Sequence, residues 1–308
     1  MLTGASTGPD QRARPVSAQP QASRLLVWLA AIRRSLQRPP RLWQEAVLLT
    51  LGFGLYSIIQ KDVPLHPQAA YDRGRTLLNL ERRWHIDLAH PLNHALPKIH
   101  WLTVLANYYY VAMHFGVPIF VLLWLIFRHI DRYRAERRSF VIMALVGLAV
   151  FWFAPTAPPR LIPGSGVLDT VSHFHTIGSY ENGATKHAAD QFASMPSLHF
   201  AFALWCAITV FRVGKHRIVR YGWFIYPALT GLDVLATGNH YVLDIPAGAA
   251  ALGLGYLLSW ASSRWARRLD RIPLPAADSP TVDWIAAADR EPTPDRPTDA
   301  RGSARQHR

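Results

Sequence analysis

Long apolar runs, separated by polar and mostly basic connections, organise this chain of 308 residues. The hydrophobic positions do not keep to one face with a period of 3.6, as they would on a surface helix of a soluble domain; they fill whole turns. A bilayer core of about 30 Å takes roughly 20 helical residues to cross. Six segments reach or approach that length, at 44–60, 101–127, 139–155, 197–213, 219–238 and 241–262. The expected fold class is therefore all-α, a polytopic membrane bundle of six transmembrane helices. Residues 68–98 follow another pattern, with Leu77, Leu78, Leu80, Trp84, Ile86 and Leu88 set among charges. That predicts amphipathic helices lying on the outer membrane face. Pro246 is expected to bend the last span.

The same pattern divides the chain into three parts. Residues 1–43 form a cytoplasmic N-terminal segment, polar and Pro/Ser/Gln-rich at first, with a short apolar stretch at 25–32 that reads as an interfacial anchor. Residues 44–263 form the membrane domain. Residues 264–308 are rich in Pro, Asp and Arg without hydrophobic period, and read as a disordered cytoplasmic tail.

Charge changes the picture by giving direction. A formal charge of +13 on a soluble chain would point to nucleic acid. Here the basic residues lie between apolar runs, so they record topology, and no nucleic-acid partner is expected. Seven Arg precede the first segment and five lie in 128–138. Arg212, Lys215, Arg217 and Arg220 separate the fourth and fifth segments; Arg264, Arg267, Arg268 and Arg271 follow the sixth. With six spans, all four groups fall on one side. The connection 156–196 holds only Arg160 and Lys186 against Asp169, Glu181 and Asp190. Both termini are thus expected in the cytoplasm of a multi-pass cell-membrane protein. The single cysteine, Cys206, lies within an apolar run, which excludes an intrachain disulfide and a cysteine-based metal site.

Three polar clusters fall at span ends, and this topology puts all three outside. In the first, Phe153-Ala-Pro-Thr-Ala-Pro-Pro-Arg160, the prolines stop a helix and carry Arg160 to the interface. A guanidinium there can hold two phosphate oxygens at once. The second, Ser194-Met-Pro-Ser197-Leu-His199, opens a helix whose free N–H groups suit an anion; Ser197 adds a hydroxyl and His199 an imidazole. In the third, Thr237-Gly-Asn-His240-Tyr-Val-Leu-Asp244, the i,i+4 spacing of His240 and Asp244 puts both on one helix face. A carboxylate on one imidazole nitrogen fixes the tautomer and leaves the other free to attack phosphorus. Taken alone, a His-x-x-x-Asp pair would more often cap a loop; the bland alternative for Ser197 is a hydroxyl at the helix N-cap. Asp233 sits in an apolar span, where an acid usually faces the bundle interior, so a functional or helix-pairing role stands beside a helix-end position near water.

In order, Pro158-Pro159-Arg160, Pro196-Ser197-Leu198-His199 and His240-Tyr-Val-Leu-Asp244 resemble the three motifs of the type 2 phosphatidic acid phosphatase superfamily. Their wording is most similar to the branch containing inositol phosphorylceramide synthases. The resemblance covers roughly 45–262. It implies that His240 is the nucleophile, Asp244 its orienting base and His199 the general acid, with Arg160 and Ser197 holding phosphate. It also implies chemistry without metal or other cofactor. This chain departs from the family pattern at Phe153, where a lysine is common, at Asp233 and Val234, where Ser-Arg is common, and at Leu198, where glycine is common. Lys186 is one accessory residue that would restore a cation, and Asp233 is another accessory candidate.

The expected function is that of a lipid phosphatase or phosphotransferase working through a phosphohistidine at the extracytoplasmic face. Its partners would be a lipid phosphate or diphosphate substrate and the surrounding membrane lipids, with the oligomeric state open. The alternatives are transfer of a phospho-headgroup to an alcohol and, from another class, a non-catalytic transporter or scaffold.

Overall fold

The computed structural model describes residues 67–176 and 192–269, together with Trp43, Val47, Thr50, Gly52 and Gly54. Most of the expected span 44–60, the segment before it, Lys186 and the tail beyond residue 269 lie outside the described residues. Residues Arg41–Trp265 form one compact unit, to which the site belongs.

The mixed pattern of 68–98 becomes two helices, α1 (Pro67–Arg83) and α2 (Ala89–Ala95). The buried residues of α1 are Ala70, Gly74, Leu78 and Glu81, spaced four, four and three apart, so they form one stripe. A 3₁₀ turn, Leu96–Lys98, leads into α3 (His100–Arg128). Only His129 separates α3 from α4 (Ile130–Phe153). The basic run 128–138, expected as a loop, is therefore helical. Its Arg, Ala and Glu residues favour helix, and neither Gly nor Pro interrupts them. After α4 come the proline-rich connection, a 3₁₀ turn at Pro159–Leu161 and the short α5 (Thr170–His173), capped by the Asp169 carboxylate on the N–H groups of Val171 and Ser172.

The second half contains α6 (Leu198–Val213), α7 (Arg217–Gly222), α8 (Ile225–Ala236) and α9 (Asp244–Leu269). The expected span 219–238 is thus broken between α7 and α8, and the last helix runs six residues past the expected boundary at 263. Pro246, expected to bend the last span, is the third residue of α9. It sits in the first turn, where a missing N–H costs no helical bond. Among the described residues the fold is all-helical apart from one isolated bridge, Thr156 to Ala193. Two of these helices, α3 and α9, are long and apolar enough to cross a membrane.

The central helix is α6, packed against α3, α4, α7 and α8. Trp205, Cys206, Phe202 and Val210 from α6 meet Leu125 of α3, Tyr133 and Met143 of α4, and Leu252 of α9. Small residues allow the close approaches. A side chain at Gly255 would collide with Ser139 O and Met143, so the Ala251/Gly255 pair is a packing seam. Gly253, of the parallel Ala249/Gly253 pair, has nothing within 4 Å. At one end of the bundle Glu136 is buried; its carboxylate accepts from Tyr256 at 3.1 Å and Thr209 at 3.3 Å and pairs with Arg212 at 3.0 Å. This network joins α4, α6 and α9. The outer surfaces of α3 and α9 are apolar, with Phe120, Leu123, Phe127, Leu257 and Trp260 exposed.

Candidate active site

The last motif folds as a tight turn between α8 and α9. Asn239 and His240 both donate backbone N–H groups to Val234 O, and Gly238 takes a positive φ of 74°. The Gly238 carbonyl accepts from Arg160 N at 3.1 Å, which joins the first motif to the third. His240 Nδ1 lies 3.1 Å from Asp244 Oδ2, and neither side chain is more than 3% exposed. Because a carboxylate accepts, this contact places the proton on Nδ1. The same carboxylate oxygen accepts from Tyr241 N at 2.9 Å and from Ser194 Oγ. His240 Nε2 is buried and meets no hydrogen-bond partner among the described residues.

The second motif arrives from the N-terminus of α6. Ser197 N donates to Asp244 O at 3.1 Å, so the starts of α6 and α9 are locked together. Gly248 makes this possible, since a Cβ there would overlap Ser197 O. Ser197 is the N-cap of α6, its Oγ accepting from Phe200 N at 3.3 Å. The helix therefore starts at Leu198, and Pro196 precedes its cap. Leu198, which stands where the family commonly has glycine, fills a notch over Gly147 of α4. His199 faces His240 edge-on, with ring centroids 5.8 Å apart. Its ring also stacks on Tyr110 at 3.9 Å and on His114 at 3.8 Å. Two rings cannot occupy one face at such distances, so His199 is sandwiched between residues one turn apart on α3.

Arg160 lies in the 3₁₀ turn with its side chain 3% exposed; its Nη1 donates to Asn239 Oδ1, beside His240, and its Nε lies 3.4 Å from Asp169 Oδ2. The first and second motifs are joined by Thr156 N to Phe192 O at 2.7 Å and Ser194 N to Thr156 O at 3.3 Å. Helix α1 closes over the same loop: Ala157 N donates to Ala70 O, Arg73 donates to Pro155 O at 2.9 Å, and Tyr241 Oη donates to Ala157 O at 2.8 Å.

His240, Asp244, His199, Ser197 and Arg160 are thus brought to one place. Asp233 is not: Thr237 bonds its backbone carbonyl, and its Oδ2 meets no partner among the described residues. Phe153 is 79% exposed and Val234 fully buried, so neither position supplies a polar group. No group of three or more His, Cys, Asp or Glu side chains among the described residues is arranged to hold a metal.

A family model described as the PAP2 superfamily matches residues 75–258, more than half of the chain. The chain belongs to the PAP2 superfamily. The match takes in all three motifs and most of α1. No curated protein matches the chain. Among solved structures, the crystal structure of Aquifex aeolicus LpxE is similar, with a TM-score of 0.44 and 17% identity, covering 57% of this chain and 94% of that chain.

Several residues around this PAP2 centre were given no role by the sequence. Ser194 and Asn239 lie within the second and third clusters, beside the residues named there. Asn93 is buried in α2 and bridges Leu168 and Ala236, bonding the carbonyl of each at 3.0 and 2.9 Å. Tyr110 and His114 share a helix face at i,i+4, a spacing visible in the sequence, although which face met His199 was not. Glu81 is the most unexpected: a carboxylate with no exposed surface, whose Oε1 accepts from Leu243 N at 2.7 Å. The only hint is its place in the apolar stripe of α1.

Proposed function

We propose that this PAP2 chain is a multi-pass membrane enzyme that attacks the phosphorus of a lipid phosphate or diphosphate through a histidine, with no metal or cofactor required. The observation that carries the reading is the state of His240: Nδ1 held by Asp244, Nε2 buried without a partner, and a second imidazole edge-on at 5.8 Å. In the first step the Nε2 lone pair forms a bond to phosphorus while the bond from phosphorus to the lipid oxygen breaks. Protonated His199 gives its proton to that departing oxygen. In the second step water attacks the phosphohistidine, its proton passes to His199, the P–N bond breaks and inorganic phosphate leaves. Arg160 and the hydroxyl of Ser197 stabilise charge on the non-bridging oxygens.

The apolar exteriors of α3 and α9 support a location in the bilayer, where lipid takes the place of water around the bundle. The basic connections support both termini in the cytoplasm and the three motifs on the extracytoplasmic side. In this topology α1 and α2 lie over the outer ends of the bundle.

The test is the purified protein in detergent, given phosphatidic acid, phosphatidylglycerol phosphate and polyprenyl phosphates or diphosphates. Release of phosphate and transfer of a headgroup to added alcohols are measured together, with His240→Ala alongside. Release or transfer in the wild type, lost by at least 10³-fold in the variant, is the expected result. Full activity in His240→Ala would end the mechanism. A folded wild-type protein inactive on every lipid would favour a scaffold or transporter.

A further inference from the structure

Helix α1 lies outside the three motifs, yet it sends one carboxylate into the centre of the site. Glu81 ends the buried stripe Ala70, Gly74, Leu78, Glu81. Its Oε1 accepts from Leu243 N at 2.7 Å, with the Val242 backbone N–H as a further hydrogen-bond donor to the carboxyl. Its Oε2 is buried and meets no partner among the described residues. Val242 and Leu243 are two of the three residues between His240 and Asp244. Those amides precede α9, where no earlier turn of that helix supplies carbonyls to receive them. The approach of α1 is fixed elsewhere along its length: a Cβ at Gly74 would sit 2.6 Å from Ala157 O and 2.9 Å from Tyr241 Oη.

We propose that Glu81 is a positioning residue for the His240–Asp244 pair, holding the Val242–Leu243 peptide groups so that imidazole and carboxylate keep their mutual distance. The proposal rests on the reading of His240 as the nucleophile. A buried acid is a costly way to fill a stripe position that Leu or Ala would fill, and a carboxylate carries the oxygen that a turn of free amides requires.

The same position makes the support sensitive to proton concentration. Burial pushes the Glu81 carboxyl up to about 7, opposed by the Leu243 N–H and reinforced by the charge of Asp244. The groups facing it are Asp244 of α9, Tyr241 of the turn, and Asp87 after α1, itself paired with Arg82 at 3.2 Å. Below that range the acid is neutral and still accepts at Oε1. Above it, the carboxylate holds the Leu243 N–H more strongly but sets a second negative charge against Asp244, so the support differs between the two protonation states.

The experiment compares wild type, Glu81→Gln and Glu81→Ala, full-length in detergent, on short-chain phosphatidic acid from pH 5 to 9. Gln keeps an acceptor oxygen but cannot ionise; Ala removes the acceptor. Expected are a Glu81→Gln kcat within about threefold of wild type at pH 5.5, a ratio of the two that changes as pH rises through about 7 (the general acid being common to both), and a Glu81→Ala kcat at least about tenfold lower with KM little changed. A second readout needs no turnover: the nitrogen shifts of ¹⁵N-labelled His240, assigned with His240→Gln, report its tautomer. The Nδ1–H form is expected in wild type and Glu81→Gln and reduced in Glu81→Ala. An unchanged tautomer and kcat in Glu81→Ala overturn the proposal; so does a pH profile in Glu81→Gln identical to wild type. Should Glu81→Ala fail to fold, the Glu81→Gln profile decides. If wild type turns over no lipid, the proposed function fails separately, and the tautomer comparison still decides whether Glu81 positions the pair.

Discussion

The imidazoles of His199 and His114 are stacked, with centroids 3.8 Å apart and planes 26° from parallel. His114 is 5% exposed, and neither of its ring nitrogens meets a hydrogen-bond partner among the described residues. Its contacts are ring contacts, to His199 on one side and Phe202 at 4.8 Å. A flat ring that fixes another flat ring restricts the plane in which His199 can present a proton.

Replacing His114 by Phe should therefore keep that plane and replacing it by Ala should not. We expect His114→Phe to retain kcat within about threefold and His114→Ala to lose about tenfold to a hundredfold, since small misplacements of a reacting group carry such penalties. Steady-state kinetics on the same lipid, with melting temperatures to confirm folding, make the comparison. Equal losses in both variants would show that the stack does not position His199.

Asp244 Oδ2 gathers three donors, from His240, Tyr241 and Ser194. Asp244→Asn keeps the shape but offers an amide where a carboxylate stabilised the imidazolium. A fall in kcat of about 10³-fold or more is expected, by the logic of histidine–carboxylate pairs. Ser194→Ala removes one donor of the three and should cost far less, about tenfold at most. The ratio of the two, measured in one assay, separates the carboxylate's charge from its anchoring.

Gly248 and Gly253 lie in the same helix with opposite surroundings. A methyl group at 248 collides with the Ser197 backbone, whereas one at 253 has nothing within 4 Å. Gly248→Ala should part the starts of α6 and α9 and lower both melting temperature and turnover. Gly253→Ala should leave turnover unchanged and stabilise by about 0.5–1 kcal/mol, the helical advantage of Ala over Gly. Thermal melts in detergent distinguish them.

The buried Glu136 carboxylate is held by Tyr256, Thr209 and Arg212, away from the motif end. Glu136→Ala should destabilise by about 3 kcal/mol, the lower end for a buried pair that loses one partner, because Arg212 is half exposed and regains water. Turnover at low temperature should persist. Loss of activity without loss of stability would contradict a structural role.

Glu81 also predicts a pH dependence of stability. Its folded pKa of about 7 exceeds the ordinary 4.5, so the folded state binds the proton more tightly than the unfolded chain. The unfolded state loses its proton first, and stability from this group is complete below about pH 4.5 and lost by about pH 7. The melting temperature of Glu81→Gln relative to wild type should therefore rise between those values and level off above them. A difference that is flat with pH would refute the shift.

By itself, the amino-acid order determined the helical class, the amphipathic character of 68–98 and the three motifs, because apolar runs and local spacings are properties of neighbouring residues. His240 and Asp244 are four apart, and their contact follows from one turn of chain. Where local pattern failed, the competing effect was also physical: the basic run 128–138 reads as a loop by charge, but it has no breaker and buries Glu136. Tertiary structure alone decided which distant groups meet. Arg160 joins Asn239 across 79 residues and Glu81 reaches Leu243 across 162. Contacts of that range depend on which faces of α1, α6 and α9 come together, and those faces are chosen by small-residue approaches: at Gly255 its spacing from Ala251 is legible in the sequence, while at Gly74 and Gly248 no periodicity announces them.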